Sequence, residues 1–178
     1  NLEEGETVEV QIGVSFVSTE NARMNLDAEQ KGFDFDVVHN NAREVWNEAL
    51  SKVIAEGGTD DQQTVFYTGL YHALIHPNIL NDVNGEYPEM ESDGIGKTNS
   101  NRYTVFSLWD TYRNVHQMLT LLYPEQQLDM VRSMVDMYKE GGWLPKWELY
   151  SRETLTMEGD PAIPVIVDSW MKGLRDFD

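Results

Sequence analysis

Tyr103-Thr-Val-Phe-Ser-Leu-Trp-Asp-Thr-Tyr-Arg113 joins a loop rich in Asn, Asp and Gly to a run of regularly spaced apolar residues. Val105, Leu108, Trp109, Tyr112, Val115, Leu119 and Leu122 recur at helical spacing, which predicts a helix over Thr104–Leu122. Trp109 stands directly beside Asp110, and Arg113 follows one helical turn later, where it can pair with Asp110. The stretch has an echo, Gly142-Trp-Leu-Pro-Lys-Trp-Glu-Leu149, which sets Lys146, Trp147 and Glu148 in a row. An aromatic face, an acid and a fixed cation side by side suit a polyhydroxylated ring. The ring's apolar face packs on the indole, and its hydroxyls donate to the carboxylate and accept from the cation. The plain alternative is that both Trp side chains are core and both acids surface, since large aromatics are usually packing residues. Two such pairs in one short chain weaken that alternative.

Downstream, Pro124 at a first helical position opens a further helix. Leu128, Val131, Met134, Val135 and Tyr138 mark its core face, and Gly141-Gly142 ends it. Residues 143–160 read as irregular. Asp160 caps a last helix with Pro161 inside its start and Val167, Trp170, Met171 and Leu174 as its buried stripe. Upstream, residues 77–103 form a long loop, of the kind that is usually functional or disordered. Within it, Asn81-Asp-Val-Asn-Gly-Glu86 resembles the start of a calcium loop, but Tyr87 stands where the sharp-turn Gly belongs. An Asx-rich surface turn is the simpler reading.

Before that loop, Asp60 and Gln63 suggest a capping box for a helix with the stripe Phe66, Leu70, Ala73 and Leu74, ended at His76-Pro77. Asp34 or Asp36 caps a long helix to about Glu56, with Val38, Ala42, Val45, Trp46, Ala49 and Val53 on one face and Gly57-Gly58 as its stop. A short helix is expected at Glu20–Glu29. Residues 7–17 differ in kind. Val8, Val10, Ile12, Val14 and Phe16 alternate with Glu9, Gln11, Gly13 and Ser15, the pattern of a half-buried strand. A strand needs ladder partners, and no second strand of this quality is present. Its sheet is therefore expected elsewhere, and the 178 residues are expected to be a piece of a longer protein.

Composition narrows the function. The net charge of −18 argues against nucleic acid, which needs clustered Lys and Arg, and disfavours an anionic membrane surface. No run approaches the roughly 18 apolar residues of a membrane span, so no membrane insertion is expected. The absence of Cys excludes a thiol nucleophile and a thiolate metal site. Gly94-Ile-Gly-Lys97 lacks the spacing of a phosphate loop. His72 and His76 have zinc-pair spacing, but Ala73 breaks the His-Glu-x-x-His pattern and no third ligand is indicated. No nucleophile-elbow signature supports Ser-His-Asp catalysis. Carboxylates remain: Asp82, Glu86, Asp110, Glu148, Glu153 and Asp160. Glycoside cleavage needs two of them, and the sequence does not say which two face one another.

Taken together and in order, Phe66-Tyr-Thr-Gly-Leu-Tyr-His72, Pro77-Asn78, Tyr103–Arg113, Gly142–Leu149 and Val165-Ile-Val-Asp-Ser-Trp-Met-Lys-Gly173 resemble the exo-acting α-mannosidases of glycoside hydrolase family 92. Val14-Ser-Phe-Val-Ser18 with Asn21-Ala22 is similar to the end of that family's N-terminal β-sandwich. The resemblance implies a mainly α fold, a partial α/α toroid preceded by a linker helix and one orphan β-strand. Residues 1–18 would be the last sandwich strand, residues 19–58 linker helices, and residues 59–178 the first toroid helices. It implies calcium-dependent, inverting hydrolysis of terminal α-mannosides, α-1,2 linkages among them, by a secreted or periplasmic enzyme acting on a mannose-containing glycan. Asp110 and Glu148 carry over as sugar-hydroxyl ligands, Trp109 as a packing platform and Arg113 as the orienting cation. The family's Glu-Gly-Asn and Gly-Asn-Glu-Pro stretches have no counterpart here. The catalytic acid and base and most calcium ligands are accordingly expected beyond Asp178, and the piece alone is expected to be inactive and to self-associate through its orphan strand. The alternative is a non-catalytic carbohydrate-binding or scaffold α/α module.

Overall fold

The computed structural model describes residue 3 and residues 5–178. Their elements run α1 (Thr19–Glu29), α2 (Phe35–Leu50), α3 (Asp60–Ala73), β1 (Asn78–Ile79), β2 (Glu86–Pro88), β3 (Ile95–Lys97), β4 (Tyr103–Thr104), β5 (Phe106–Ser107), α4 (Leu108–Thr111), α5 (Val115–Leu122), α6 (Pro124–Gly141), β6 (Trp147–Leu149), β7 (Arg152–Glu153) and α7 (Ala162–Met171). The fold is mainly helical, with three small antiparallel sheets, β1–β4, β2–β3 and β5–β6–β7.

The helix starts follow local chemistry. Ser18 caps α1 by accepting from Asn21 N–H at 3.0 Å, and Asp34 caps α2 by accepting from Val37 N–H at 3.1 Å. The capping box of α3 lies one residue earlier than expected. Thr59 Oγ1 accepts from Gln62 N–H at 3.3 Å, and Gln62 Oε1 accepts from Thr59 N–H at 2.9 Å. α2 stops at Leu50 rather than near Glu56, because the N–H groups of Lys52 and Val53 turn back to Ala49 and Leu50 in tighter loops. α6 opens at Pro124 and ends at Gly142, whose φ of 86° lets its N–H reach Tyr138 O at 2.8 Å.

Three expectations fail for physical reasons. The predicted helix Thr104–Leu122 is broken into β4, β5, α4 and α5. Tyr103–Ser107 spends its backbone hydrogen bonds on β1 and β6 instead, with Val105 at a φ of 64°. The buried faces of α6 and α7 are also rotated. α6 buries Gln127, Met130, Val131, Ser133, Met134 and Met137 and leaves Tyr138 exposed. α7 buries Ala162, Val165 and Ser169, while Val167, Trp170 and Met171 face outward. Gln127, Ser133 and Ser169 are polar groups that pair with one another or with neighbouring backbone, a complementarity that hydropathy does not register.

Residues 7–17 form no ladder among the described residues, and Val8, Val10, Ile12, Val14 and Phe16 are all more than half exposed. The expected strand is therefore not formed here, for want of a partner. Residues 77–103 are ordered rather than structureless: β2 and β3 make a hairpin, and β1 pairs with β4. The core gathers Phe106, Leu108, Leu119, Tyr123, Met130, Met134, Met137, Ala162 and Val165, packing α5, α6 and α7 on one another beneath β5.

Candidate functional site

The two Trp-acid stretches meet through one ladder. β5 pairs with β6 so that Phe106 faces Glu148 and Ser107 faces Trp147, and Leu108 N–H donates to Lys146 O at 3.1 Å. The chain turns into α4 directly after β5, which lifts Trp109 and Asp110 to the surface. Trp109 is 53% exposed, and Asp110 accepts from Ser107 Oγ–H across the turn. Thr111 Oγ1 lies 3.2 Å from Ser107 O and ties the end of α4 to its start.

The expected Asp110–Arg113 pair does not form among the described residues. α4 ends at Thr111, so the continuous helix that such a pair needs is missing. Arg113 instead donates through Nε to Tyr112 Oη at 2.8 Å, its guanidinium 5.2 Å from the centre of that ring. Lys146 is partly exposed, with Nζ 3.8 Å from Asp160 Oδ1. Trp147 is half-buried. The N–H groups of Lys146 and Trp147 both donate to the Glu153 carboxylate, at 2.7 and 3.1 Å, so Glu153 braces this turn from behind.

Glu148 lies behind the surface on which Trp109 and Asp110 stand. It is fully buried. Oε1 accepts from Thr104 Oγ1–H at 2.7 Å and from Ser151 N–H, and Oε2 accepts from Val105 N–H at 3.1 Å. Val105 and Ser151 hold φ of 64° and 66°, uncommon for any residue and a true outlier for β-branched Val105. Burial pushes the Glu148 carboxyl upward, while its hydrogen bonds from Thr104 and Ser151 pull it back. One buried carboxylate thus holds two strained backbone positions on either side of the β5–β6 ladder.

Other polar side chains that the sequence did not single out sit deeper. Arg102, almost fully buried, donates through Nη2 to Glu140 Oε2 at 2.7 Å and lies over the Tyr87 ring at 4.6 Å. His116 Nδ1 lies 3.0 Å from Gln127 Oε1, and its Nε2 lies 3.0 Å from Thr111 Oγ1. Neither group leaves a periodic or motif signature. Arg102 and Glu140 stand 38 residues apart, and although His116 lies 5 residues from Thr111 and 11 from Gln127, nothing in those residue types at those spacings marks a pairing.

Residues 81–86 adopt the Asx-turn reading, with Asn84 Oδ1 accepting from Glu86 N–H at 3.0 Å. The Asp82 carboxylate accepts from Ser15 Oγ–H, Asn21 Nδ2–H and Asn25 Nδ2–H, each at 2.7 Å, and Glu86 also accepts from Asn21 at 2.9 Å. These donors occupy the oxygens that a cation would need. No group of three or more His, Asp or Glu among the described residues is placed to hold a metal ion. The residues present therefore do not fit calcium as a site of their own.

Residues 21–178 match the glycosyl hydrolase family 92 catalytic domain. An uncharacterized secreted glycosidase of Arthroderma benhamiae is 27% identical over 173 residues, covering 95% of this chain and 18% of that protein. Among solved structures, a family 92 α-mannosidase from Bacteroides thetaiotaomicron has a TM-score of 0.86 at 35% identity, over 92% of this chain and 22% of that one. A family 92 inverting mannosidase from Bacteroides thetaiotaomicron VPI-5482 gives the same figures, TM-score 0.86, 35% identity, 92% and 22%. The chain thus spans about a fifth of the length of these relatives.

Proposed function

Because the chain belongs to glycosyl hydrolase family 92, we propose that the full-length protein is a secreted or periplasmic α-mannosidase. It hydrolyses terminal α-linked mannose, α-1,2 linkages among them, with inversion at the anomeric carbon. Within it, α3 to α7 are the opening helices of an α/α toroid, and the β5–β6 ladder builds one wall of the sugar pocket. The observation that carries this reading is the ladder itself, which sets Phe106 through Leu108 beside Lys146 through Glu148 and leads directly into the turn that carries Trp109 and Asp110. Trp109 offers its indole to the apolar face of the ring. Asp110 accepts from sugar hydroxyls, while Arg113 and Lys146 donate to sugar oxygens. Trp147 backs the wall, and Glu148 holds the backbone that carries it. The general acid and base belong to chain beyond residue 178, and no proton transfer is assigned to these residues.

The secreted description of the Arthroderma relative supports the location. No helix among the described residues is long and apolar enough to cross a membrane.

The test is the full-length protein with α-1,2-mannobiose, followed by proton NMR. Mannose appearing first as the β-anomer is the expected result, and the α-anomer first would overturn the inverting assignment. Asp110→Asn removes a charge-assisted hydrogen bond and should lower kcat/KM by roughly 10- to 100-fold. Sugar binding without any release of mannose would instead return the protein to the non-catalytic alternative. Calcium dependence is part of the same proposal: chelation abolishes turnover and added calcium restores it, and turnover that ignores the chelator refutes that part. The isolated 178 residues should release no mannose at an enzyme-like rate.

A further inference from the structure

A continuous polar relay crosses the apolar core beneath α4. Ser169 Oγ–H donates to Val165 O at 2.8 Å, which commits its only proton. Ser169 must therefore accept from Gln127 Nε2–H, 3.0 Å away. That orients the amide and turns Gln127 Oε1 toward His116 Nδ1 at 3.0 Å, so Nδ1 carries a proton and donates it. In the neutral ring Nε2 is then an acceptor, and it faces Thr111 Oγ1 at 3.0 Å. Ser169, Gln127 and His116 are each buried to about 1% exposure or less. The relay runs from α7 through α6 and α5 and ends on the last residue of α4, the turn that carries Trp109 and Asp110.

Thr111 has one hydroxyl proton and two acceptors, His116 Nε2 at 3.0 Å and Ser107 O at 3.2 Å. A neutral His116 accepts that proton at the shorter distance and holds the end of α4 to the core, while Ser107 O shares it across the turn and Ser107 Oγ–H stays on Asp110. Burial favours the neutral ring. α4 is a single turn with no side-chain hydrogen bond at its N-cap; Leu108, buried in the core and bonded to Lys146 O, holds its start, and the Thr111 contact with His116 holds its last residue.

We propose that His116 is a positioning residue for the sugar wall, acting through Thr111 to fix the turn that presents Trp109 and Asp110. This rests on reading Trp109 and Asp110 as sugar contacts. His116 itself, buried in the core, touches no substrate.

The experiment measures kcat, KM and melting temperature of the full-length protein on α-1,2-mannobiose. Four single variants are compared: His116→Phe, Thr111→Val, Thr111→Ser and Asp110→Asn. Thr111→Val keeps the shape and removes the hydroxyl, and should lower kcat/KM by ~10- to 100-fold, the cost of misplacing a binding group. The loss should fall in the same parameter, kcat or KM, as that of Asp110→Asn. Thr111→Ser restores the hydroxyl and should recover activity. His116→Phe should match Thr111→Val, and the double variant should be no worse than either, because both break one link. If His116→Phe fails to fold, Thr111→Val still decides, since it leaves His116, Gln127 and Ser169 paired. A folded Thr111→Val with full activity overturns the proposal, and so does a Thr111→Ser that is as damaged as Thr111→Val. If Asp110→Asn is silent, the sugar-wall reading itself fails. If Asp110→Asn costs activity while Thr111→Val does not, only the positioning role fails.

Discussion

At the scale of single residues, Glu148 shows how a motif position can carry weight without facing solvent. Its two oxygens serve Thr104 Oγ1–H, Val105 N–H and Ser151 N–H. A Gln at 148 would turn an NH2 group toward one of these donors. Glu148→Gln should therefore lower stability by about 1–3 kcal/mol, read as a lower denaturant midpoint at unchanged slope. An unchanged midpoint would mean that the carboxylate is not what holds Val105 and Ser151. His116 supplies a pH dependence. Burial lowers its pKa from the usual 6.5, and its ring nitrogens face only the neutral Thr111 and Gln127. The unfolded chain then binds a proton that the fold resists, so stability falls as pH drops below about 6.5 and continues to fall toward the lowered value. Denaturant midpoints at about pH 5 and about pH 7 should differ less in His116→Asn than in the parent. An identical difference in both would exclude His116 as the source. The adjacency of Trp109 and Asp110 was legible in the sequence, but their exposure was not, because it follows from the turn into α4 directly after β5. The burial of Glu148 was not legible, because it depends on the Thr104–Val105 backbone folding over it.

At the scale of elements, Glu140 near the end of α6 joins that helix to the β2–β3 hairpin and to Arg102 before β4. Glu140 accepts from Arg102 Nη2 at 2.7 Å, from Tyr87 Oη–H at 2.9 Å and from Met90 N–H at 2.8 Å. Desolvation drives the Tyr87 hydroxyl pKa well upward, so it stays a donor. Removing Glu140 leaves Arg102 charged and buried. Glu140→Ala should cost about 3–5 kcal/mol, read by chemical denaturation, and a loss under about 1 kcal/mol would mean that water replaces the carboxylate. The end of α6 offers a smaller test. Gly142→Ala places a side chain at a φ of 86° and should cost about 1–2 kcal/mol by the same measurement. The start of α6 at Pro124 and its stop at Gly141-Gly142 could be read directly, because backbone geometry at these positions is decided by the residue itself, whereas α2 stops at Leu50, well before Gly57-Gly58. The break inside Thr104–Leu122 could not be read. Its apolar spacing suits a helix, and only the partners offered by β1 and β6 make two short strands the better use of those hydrogen bonds.

At the scale of the whole molecule, one apolar face has no cover among the described residues. Val10 and Ile12 are 75% and 74% exposed, with Val8, Val14 and Phe16 beside them. Exposed alternating apolar residues with free backbone groups recruit partners. The isolated 178 residues should therefore self-associate in size-exclusion chromatography, and Val10→Lys with Ile12→Lys should shift the population toward monomer. A sharp monomer with a cooperative melt before any substitution would contradict this. The opposite end of the segment is anchored. Ser15, Asn21 and Asn25 converge on Asp82, which ties residues 15–25 to the turn after β1.

The sequence by itself determined the helical class, the start and stop of α6 and the family, because these rest on residue types at fixed positions. The tertiary structure alone decided which face of α6 and α7 is buried, where the helix after Thr104 breaks, and that Glu148 lies inside while Asp110 lies outside. Each of those outcomes depends on hydrogen-bond partners from distant parts of the chain, such as Glu148 on Val105 and Gln127 on Ser169. A buried polar group takes its place from the partner that satisfies it, and that partner has no mark in the local sequence.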